Sequence, residues 1–308
     1  MFQALPSHAT VVEVGPRDGL QSEPEVVPTA VKVALIERLA AAGLRHIEIT
    51  SFVNPKWVPQ LADAMQVATT VARRPDCIYS ALVPNMRGLE SALEARVDEV
   101  VIFAAASETF SRKNTNREVA AALAAYAEVA AASLAAGKRV RAYVSTAWGC
   151  PYEGAIAPAK VCEVAQALVA MGAYQVSIGD TIGVATPAQV QSLLALLLDK
   201  LSEPQLALHF HDTRGMGMAN VVAGLDMGIR TFDSSVGGLG GCPYAPGATG
   251  NIATDDLVYM LDEMGIATGV SLPTVMEASR MMMDVLGRDL PSRYFRAQLA
   301  GEARCGGA

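Results

Sequence analysis

The chain has 308 residues, of which 51% are apolar and 18% charged, and this composition excludes an intrinsically disordered protein. Its net charge of −7 and its lack of a basic stripe argue against a nucleic-acid-binding protein. The length fits a single α/β barrel of about 250 residues with an appendage as well as it fits two domains.

Short β-branched runs recur along the chain, and most are followed by a longer segment with helical periodicity. The eight predicted strands cover residues 10–14, 46–50, 77–83, 99–104, 139–145, 174–178, 206–210 and 231–235. Helices are predicted at 29–42, 118–136, 159–171, 187–201 and 216–227, and two more at about 254–264 and 273–286. Several strands are apolar throughout, as strands buried on both faces are.

Eight alternating strand–helix units predict an α/β fold in the form of a closed (β/α)₈ barrel, or TIM barrel, with additional C-terminal helices. An open doubly wound sheet is the alternative. Because no linker or composition break interrupts the pattern, we expect one catalytic domain over residues 1–308. The barrel is expected at about 8–250 and the C-terminal helices at about 251–300.

The sequence shows no membrane or secretory signal. Its longest strictly aliphatic run, 193–198, is far shorter than the roughly 20 residues that span a bilayer. The five cysteines are an odd number without C-x-x-C spacing, which argues against a disulfide framework and a thiolate zinc site. We therefore expect a cytoplasmic protein with no membrane partner, and we expect it to form a homodimer or a higher homo-oligomer.

In a TIM barrel the chemistry takes place at the carboxyl ends of the strands, and polar residues gather there in this sequence. They are Arg17 and Asp18 after the first predicted strand, Glu48 late in the second, Asp180 after the sixth, His209 and His211 at the end of the seventh, and Cys242 and Asn251 in the glycine-rich loop after the eighth.

His209 and His211 are two residues apart on a strand, so both side chains face the same side and can bind one metal ion. The alternative is a pair of structural histidines with ordinary hydrogen bonds. Two ring nitrogens combined with carboxylate and amide oxygens suit Mg²⁺ or Mn²⁺, although zinc or cobalt remains open.

The remaining polar residues also have two interpretations each. Cys242 lies in a loop rich in glycine that can close over a site, which favours an acid or a nucleophile over a small buried hydrophobe. Arg17 and Asp18 either act in the site or form a structural ion pair. Glu48 would be costly to bury alone, and pairing with Arg17 would satisfy both groups.

The motifs VEVGPRDGLQSE, IEITSFVNPKWVPQLAD, GCPYEG, SIGDTIGVATP, HFHDTRGMGMAN and GLGGCPYAPGATGNIATDDLVYML resemble the 3-hydroxy-3-methylglutaryl-CoA lyases, from about residue 10 to 290. Related barrel synthases, aldolases and carboxyltransferases share the RDG and H-x-H elements, and the cysteine loop is the specific part of the resemblance. Neither end of the chain resembles the organelle-targeting ends of the animal enzymes, so we expect a bacterial protein.

The resemblance implies a role for each polar residue. The implied ligands of a divalent metal ion, Mg²⁺ or Mn²⁺, are Asp18, His209, His211 and Asn251. The implied catalytic residues are Arg17 for the enolate charge, Glu48 to hold the Arg17–Asp18 region, Asp180 as a second acid, Cys242 as the loop thiol, and His209 or Asp18 as the base.

The implied reaction is a retro-Claisen cleavage of 3-hydroxy-3-methylglutaryl-CoA into acetyl-CoA and acetoacetate, as in leucine degradation and ketone-body formation. The partner is then an acyl-CoA thioester, and local cations such as Arg112 and Lys113 would offset the negative net charge. The alternatives are a lyase for longer 3-hydroxy-3-alkylglutaryl-CoA substrates, a Claisen synthase or aldolase of the same superfamily, a metal-dependent hydrolase and a non-catalytic binding barrel. Cys305 lies near the sequence position that a regulatory thiol occupies in some relatives.

Overall fold

The eight β-branched segments form strands that close into a barrel, in a computed structural model that describes residues 5–241 and 250–305. The strands are β1 (Thr10–Glu13), β2 (His46–Ser51), β3 (Ile78–Leu82), β4 (Glu99–Ala105), β5 (Arg139–Ser145), β6 (Gly149–Cys150), β7 (Gly154–Ala155), β8 (Gln175–Asp180), β9 (Leu206–Phe210) and β10 (Thr231–Ser234). Strands β6 and β7 form a separate antiparallel hairpin. The other eight are parallel, and β1 closes the barrel by pairing with both β2 and β10.

Helices surround this barrel and follow it. They are α1 (Thr29–Ala41), α2 (Ala64–Thr70), α3 (Met86–Glu94), α4 (Glu108–Thr115), α5 (Val119–Ala135), α6 (Pro158–Ala170), α7 (Pro187–Leu198), α8 (Gly217–Asp226), α9 (Thr254–Glu263), α10 (Leu272–Leu286) and α11 (Arg293–Cys305). The predicted TIM barrel with additional C-terminal helices is therefore confirmed. The sequence patterns missed α2, α3, α4 and α11, which are short or carry many polar residues.

The barrel strands have an apolar outer face and a polar inner face. On β5, Val140, Ala142 and Val144 are buried in the hydrophobic core between strands and helices. Arg141 and Tyr143 alternate with them and make polar contacts across the barrel interior. The inside of this barrel is consequently a polar region in which charged side chains can meet.

The C-terminal helices are attached to the barrel through the ends of α1 and β1. Gly43 ends α1 with a φ of +97°, and an added Cβ there would lie 2.4 Å from the carbonyl oxygen of Gly269. The backbone N–H of Ser271 donates to the carbonyl of Ala42, and that of Ala9 donates to Ala267. These contacts hold the segment before α10 against the barrel.

Within the described ranges, none of the helices taken singly has the length and apolar character needed to cross a bilayer. By length and composition alone, the bent pair formed by α4 and α5 passes that test.

Candidate active site

The turn after β1 has an unusual backbone that brings two charged side chains together. Residues Gly15–Gly19 form one π-helical turn, in which the N–H groups of Asp18 and Gly19 both donate to the carbonyl of Val14. Glycine is needed at Gly15, because an added Cβ would lie 2.5 Å from an oxygen of Glu13. This turn carries Arg17 beside Asp18, and Arg17 Nη1 donates to Asp18 Oδ1 over 2.6 Å.

Glu48 holds the other side of the same guanidinium group. Arg17 Nε donates to Glu48 Oε1 over 2.5 Å, and Tyr143 donates its hydroxyl to Glu48 Oε2 over 2.6 Å. Glu48 is completely buried beside a register shift in the pairing of β2 with β3. Such irregularities re-aim side chains near functional sites. The predicted pairing of Glu48 with Arg17 is confirmed.

The two histidines at the end of β9 face the same side, as predicted, and meet Asp18 there. Their ring centroids are 5.2 Å apart. One possible ligand atom from each of Asp18, His209 and His211 lies within 4.8 Å of the others. In the described part of the chain, Nδ1 of each of the two histidines is buried without a hydrogen-bond partner of standard geometry.

Asn251 reaches this cluster from the segment just before α9, which pairs with the ends of β9 and β10. Its neighbour Ile252 donates its N–H to the carbonyl of Phe210 and accepts from the N–H of Ser235. Asn251 Nδ2 donates to Asp18 Oδ2 over 2.9 Å. Its Oδ1 is buried and has no hydrogen-bond partner among the described residues.

These four side chains fit a divalent metal ion. A buried polar atom without a partner carries a free-energy penalty of about 1–3 kcal/mol, so the orphaned Asn251 Oδ1 and His211 Nδ1 indicate a missing partner. Carboxylate and amide oxygens with imidazole nitrogens are donors that Mg²⁺ or Mn²⁺ accepts. These are the four side chains that the resemblance implied as ligands, and their role as ligands stays a prediction.

Charge and burial keep Asp18 and His211 in forms suited to a cation. Burial alone would raise the pKa of the Asp18 carboxyl, but Arg17 and then the two histidines outweigh it and lower that pKa far below its ordinary value. Burial and then the neighbouring His209 lower the pKa of His211 from 6.5 to about 4. Neutral imidazole is the form that binds metals, so His211 is ready to act as a ligand at neutral pH.

Asp180 lies at the end of β8 and shapes the loop that follows. Its two oxygens accept the backbone N–H groups of Val184 and Ala185, each over 3.0 Å. Burial raises the pKa of Asp180, while these two N–H groups act in the opposite direction. The contacts are those of a loop-positioning carboxylate, and its role as an acid stays a prediction.

Cys242 lies outside the described residues, as does the loop to residue 249. The described chain reaches Gly241, which lines a cavity of about 750 Å³ at the carboxyl ends of the strands. Arg17, Asp18, His209 and His211 line the same cavity. Its wall also includes the exposed cations Lys113 and Arg117.

Three buried residues that the sequence patterns did not single out complete the surroundings of the site. Asp233 lies 3.3 Å from His209 Nδ1, Arg141 donates to Asp233 over 2.7 Å, and Tyr143 donates to Glu48. All three lie within barrel strands rather than after them. Charged residues in otherwise apolar strands, such as Arg141 in RVRAYVS, were the available signal.

Comparison with known proteins shows what this arrangement belongs to. A family model described as HMGL-like matches residues 8–282. The chain belongs to the HMGL-like family. The mitochondrial hydroxymethylglutaryl-CoA lyase of Mus musculus is 50% identical over 293 residues, which cover 95% of this chain and 90% of that protein.

Solved structures agree with the HMGL-like assignment. The HMG-CoA lyase of Bacillus subtilis superposes with a TM-score of 0.95 at 48% identity, covering 96% of this chain and 99% of that one. An HMG-CoA lyase from Acinetobacter baumannii, solved with coenzyme A and 3-methylmalate, has a TM-score of 0.91 at 40% identity and covers 96% of each chain. The HMGL-like match includes every predicted site residue and ends within α10.

Proposed function

We propose that this protein cleaves 3-hydroxy-3-methylglutaryl-CoA into acetyl-CoA and acetoacetate by a metal-dependent retro-Claisen reaction. The observation that carries the proposal is the meeting of Asp18, His209 and His211 in one cluster beside Arg17. A metal ion held by such side chains binds the oxygens of a hydroxy acid, and a neighbouring guanidinium stabilises an enolate. The named activity of the close relatives supports the same reaction.

Asp18, His209, His211 and Asn251 would hold the divalent ion. When bound, Mg²⁺ or Mn²⁺ supplies Lewis-acid chemistry that orients oxygen ligands and lowers the pKa of a coordinated hydroxyl. We propose one of these two ions because half of the donor set consists of hard oxygen atoms.

The chain's own residues account for the proton and electron movements. His209 or Asp18 takes the proton of the tertiary hydroxyl on C3. The bond between C2 and C3 then breaks, and C3 becomes the ketone carbon of acetoacetate. The bond's electron pair passes to the thioester as an enolate, whose oxygen Arg17 stabilises. Cys242 then donates a proton to the enolate carbon, directly or through a water molecule, which gives acetyl-CoA.

The cavity supports an acyl-CoA thioester as the substrate class. It runs from the metal cluster to Lys113 and Arg117, which are exposed and can bind phosphate groups. Of the two cations expected from the sequence, Lys113 lines the cavity, whereas Arg112 is paired with Glu118 over 2.8 Å. The cationic side of the cavity is therefore formed by Lys113 and Arg117.

Metal removal tests the proposal directly. The purified protein should release acetoacetate from 3-hydroxy-3-methylglutaryl-CoA, lose this activity with a chelator and regain it with Mg²⁺ or Mn²⁺. His211→Ala should weaken Mn²⁺ binding by roughly 10- to 100-fold or more, by analogy with the effect of removing supporting groups. Full activity of the metal-stripped protein would overturn the proposed site.

A parallel assay with longer 3-hydroxy-3-alkylglutaryl-CoA thioesters decides the acyl chain. A higher kcat/KM for a longer chain would replace the proposed substrate but keep the reaction.

We further propose that the barrel and the C-terminal helices act as one catalytic domain, and that the protein works in the cytoplasm as a homo-oligomer. The contacts of Gly43 and Ala42 with the segment before α10 support the single domain.

A further inference from the structure

Behind His209 lies a buried carboxylate that the proposed reaction does not use. Asp233 on β10 is 1% exposed, and its Oδ2 lies 3.3 Å from His209 Nδ1. The same oxygen accepts the hydroxyl of Ser177 over 2.6 Å. The other oxygen accepts Arg141 Nη2 over 2.7 Å. Asp233 therefore connects His209, one of the proposed metal ligands, to Arg141 inside the barrel.

Arg141 is completely buried, and all three of its nitrogen groups are engaged. Besides Asp233, it donates from Nε to Gln175 over 3.0 Å and from Nη1 to the hydroxyl of Tyr143 over 3.2 Å. Tyr143 donates in turn to Glu48, the carboxylate that holds Arg17. A continuous path of buried polar groups thus connects the metal cluster with the arginine of the site.

This arrangement determines which ring nitrogen of His209 carries the hydrogen. An ion-paired carboxylate only accepts hydrogen bonds, so its contact with Nδ1 is favourable when Nδ1 is the protonated nitrogen. The lone pair is then on Nε2, which lies 3.9 Å from Asp18 Oδ2. With Nε2 on a metal ion His209 has no free lone pair, so the base of the proposed reaction is then Asp18. We propose that Asp233, held by Arg141, is a positioning residue that fixes the ring orientation and tautomer of His209 for metal binding. This inference rests on the metal-dependent function proposed above.

A buried ion pair is weak grounds for a purely stabilising role, because its desolvation penalty often equals or exceeds the attraction between its charges. Carboxylates that orient ligand histidines, in contrast, commonly determine metal affinity. The location of Asp233, between a guanidinium and a ring of the metal cluster, matches the second role.

Asp233→Asn tests the proposal with little change in volume. Arg141 donates only, so it will hold the amide oxygen and turn the amide NH₂ towards His209. That NH₂ favours the tautomer with hydrogen on Nε2, which has no lone pair for a metal. We expect the dissociation constant for Mn²⁺, measured by electron paramagnetic resonance of free Mn²⁺, to rise roughly 10- to 100-fold.

Glu99→Gln is the matched control. Glu99 is another fully buried carboxylate in the barrel. Its Oε1 lies 2.7 Å from His46 Nε2, and this pair is separate from the cluster of Asp18, His209 and His211. We expect this variant to change the thermal unfolding temperature but leave Mn²⁺ affinity close to that of the parent. Parental Mn²⁺ affinity in Asp233→Asn, or an equal loss in both variants, would overturn the positioning role.

A measurement on the parent protein decides the matter if Asp233→Asn does not fold. The chain has four histidines, so ¹⁵N-histidine labelling gives few NMR signals, and a His209→Gln variant assigns one of them. In the Mg²⁺-loaded protein near pH 8, we expect hydrogen on Nδ1 of His209 and none on Nε2. Hydrogen on Nε2, alone or on both nitrogens, would overturn the proposal.

These readouts separate the inference from the proposed function. Mn²⁺ affinity and the tautomer of His209 are measured without any thioester. A parent that binds Mn²⁺ through an Nδ1-protonated His209 but cleaves no substrate supports the positioning role and contradicts the function. A parent that cleaves its substrate, with an Asp233→Asn variant that binds Mn²⁺ normally, supports the function and contradicts the positioning role.

Discussion

Arg17 is engaged on two sides while it lines the cavity. Nε donates to Glu48 and Nη1 to Asp18, which fixes the plane of the guanidinium. If the group acts on charge that develops in the transition state, Arg17→Gln should lower kcat by roughly 10²–10³, as the loss of an oxyanion donor does. Arg17→Lys should not restore activity, because one ammonium cannot replace two fixed N–H contacts in different directions.

Steady-state kinetics of both Arg17 variants check this prediction, with Mn²⁺ affinity measured in parallel. Affinity should fall much less than in His211→Ala, because Arg17 holds the ligand Asp18 but is not itself a ligand. A near-normal kcat combined with a raised KM would show instead that Arg17 binds the substrate and does not stabilise the enolate.

Cys242 is predicted to move a proton, and replacing it should affect turnover more than metal binding. Cys242→Ser keeps the size of the side chain, but its hydroxyl has a pKa far above the ordinary thiol value of about 8.5. We expect a loss in kcat of roughly 10²–10⁴, the usual contribution of a general acid. Thiol reagents should inactivate the parent, and a substrate analogue should protect it.

Cys305→Ala is the control for the thiol reagents, because Cys305, near the end of the chain, is a second thiol that they can modify. This variant should be inactivated like the parent, whereas Cys242→Ser should be insensitive. Inactivation that disappears in Cys305→Ala and persists in Cys242→Ser would assign the reactive thiol to the C-terminal segment.

At the scale of elements, Glu13 at the end of β1 joins three segments of the site. Its Oε1 accepts the N–H groups of Gly15 and Val236, and its Oε2 accepts the hydroxyl of Thr254. These residues begin the π-helical turn, follow β10 and begin α9. Burial, above all, and the nearby Asp255 raise the pKa of Glu13 from 4.5 to about 7.

This pKa predicts how stability depends on pH. Below pH 4.5 Glu13 is protonated in both the folded and the unfolded protein. Between about 4.5 and 7 the folded protein binds the proton more tightly, so the free energy of unfolding falls as pH rises through this window. The shift corresponds to about 3 kcal/mol, an upper estimate for one group.

Glu13→Gln should remove this part of the pH dependence, because the amide can keep two N–H contacts and donate to Thr254. Urea unfolding at several values between pH 5 and 8 measures it for parent and variant. The difference between the two proteins isolates Glu13 from the other titrating groups. Parallel curves would contradict the raised pKa.

The elements that sequence predicted well are those whose pattern is long or strongly β-branched. All eight barrel strands and α5, an alanine-rich helix, follow from composition and period alone. Helix α4, with the sequence ETFSRKNT, has few apolar residues and owes its position to Phe110 and Ser111, which are buried by tertiary contacts. Such helices depend on packing that no local pattern records.

The same distinction applies to the site. Residues after strand ends, such as Arg17 and His211, could be predicted because the barrel fold makes those positions special. Asp233 and Arg141 could not, because their roles arise from a contact between strands that are 92 positions apart in the sequence. The polar interior of the barrel becomes apparent only when the closed sheet brings side chains of β5 and β10 together inside it.

At the scale of the whole molecule, the net charge opposes the proposed substrate. The chain carries −7, and an acyl-CoA thioester is itself a polyanion. At a physiological ionic strength the Debye length is about 8 Å, so distant charges are screened and groups near the ligand dominate. The exposed cations Lys113 and Arg117 line the cavity and are therefore expected to determine the attraction.

The dependence of KM on salt tests this balance. We expect KM for the thioester to rise with NaCl concentration in the parent, because salt weakens the local attraction. In a Lys113→Gln/Arg117→Gln variant, KM should be higher at low salt and should depend less on salt, with little change in kcat. A Lys138→Gln/Arg230→Gln variant removes the same charge at residues that precede β5 and β10, on the opposite rim, and should behave like the parent. If both double variants change KM equally, then net charge, and not the two cavity cations, controls substrate capture.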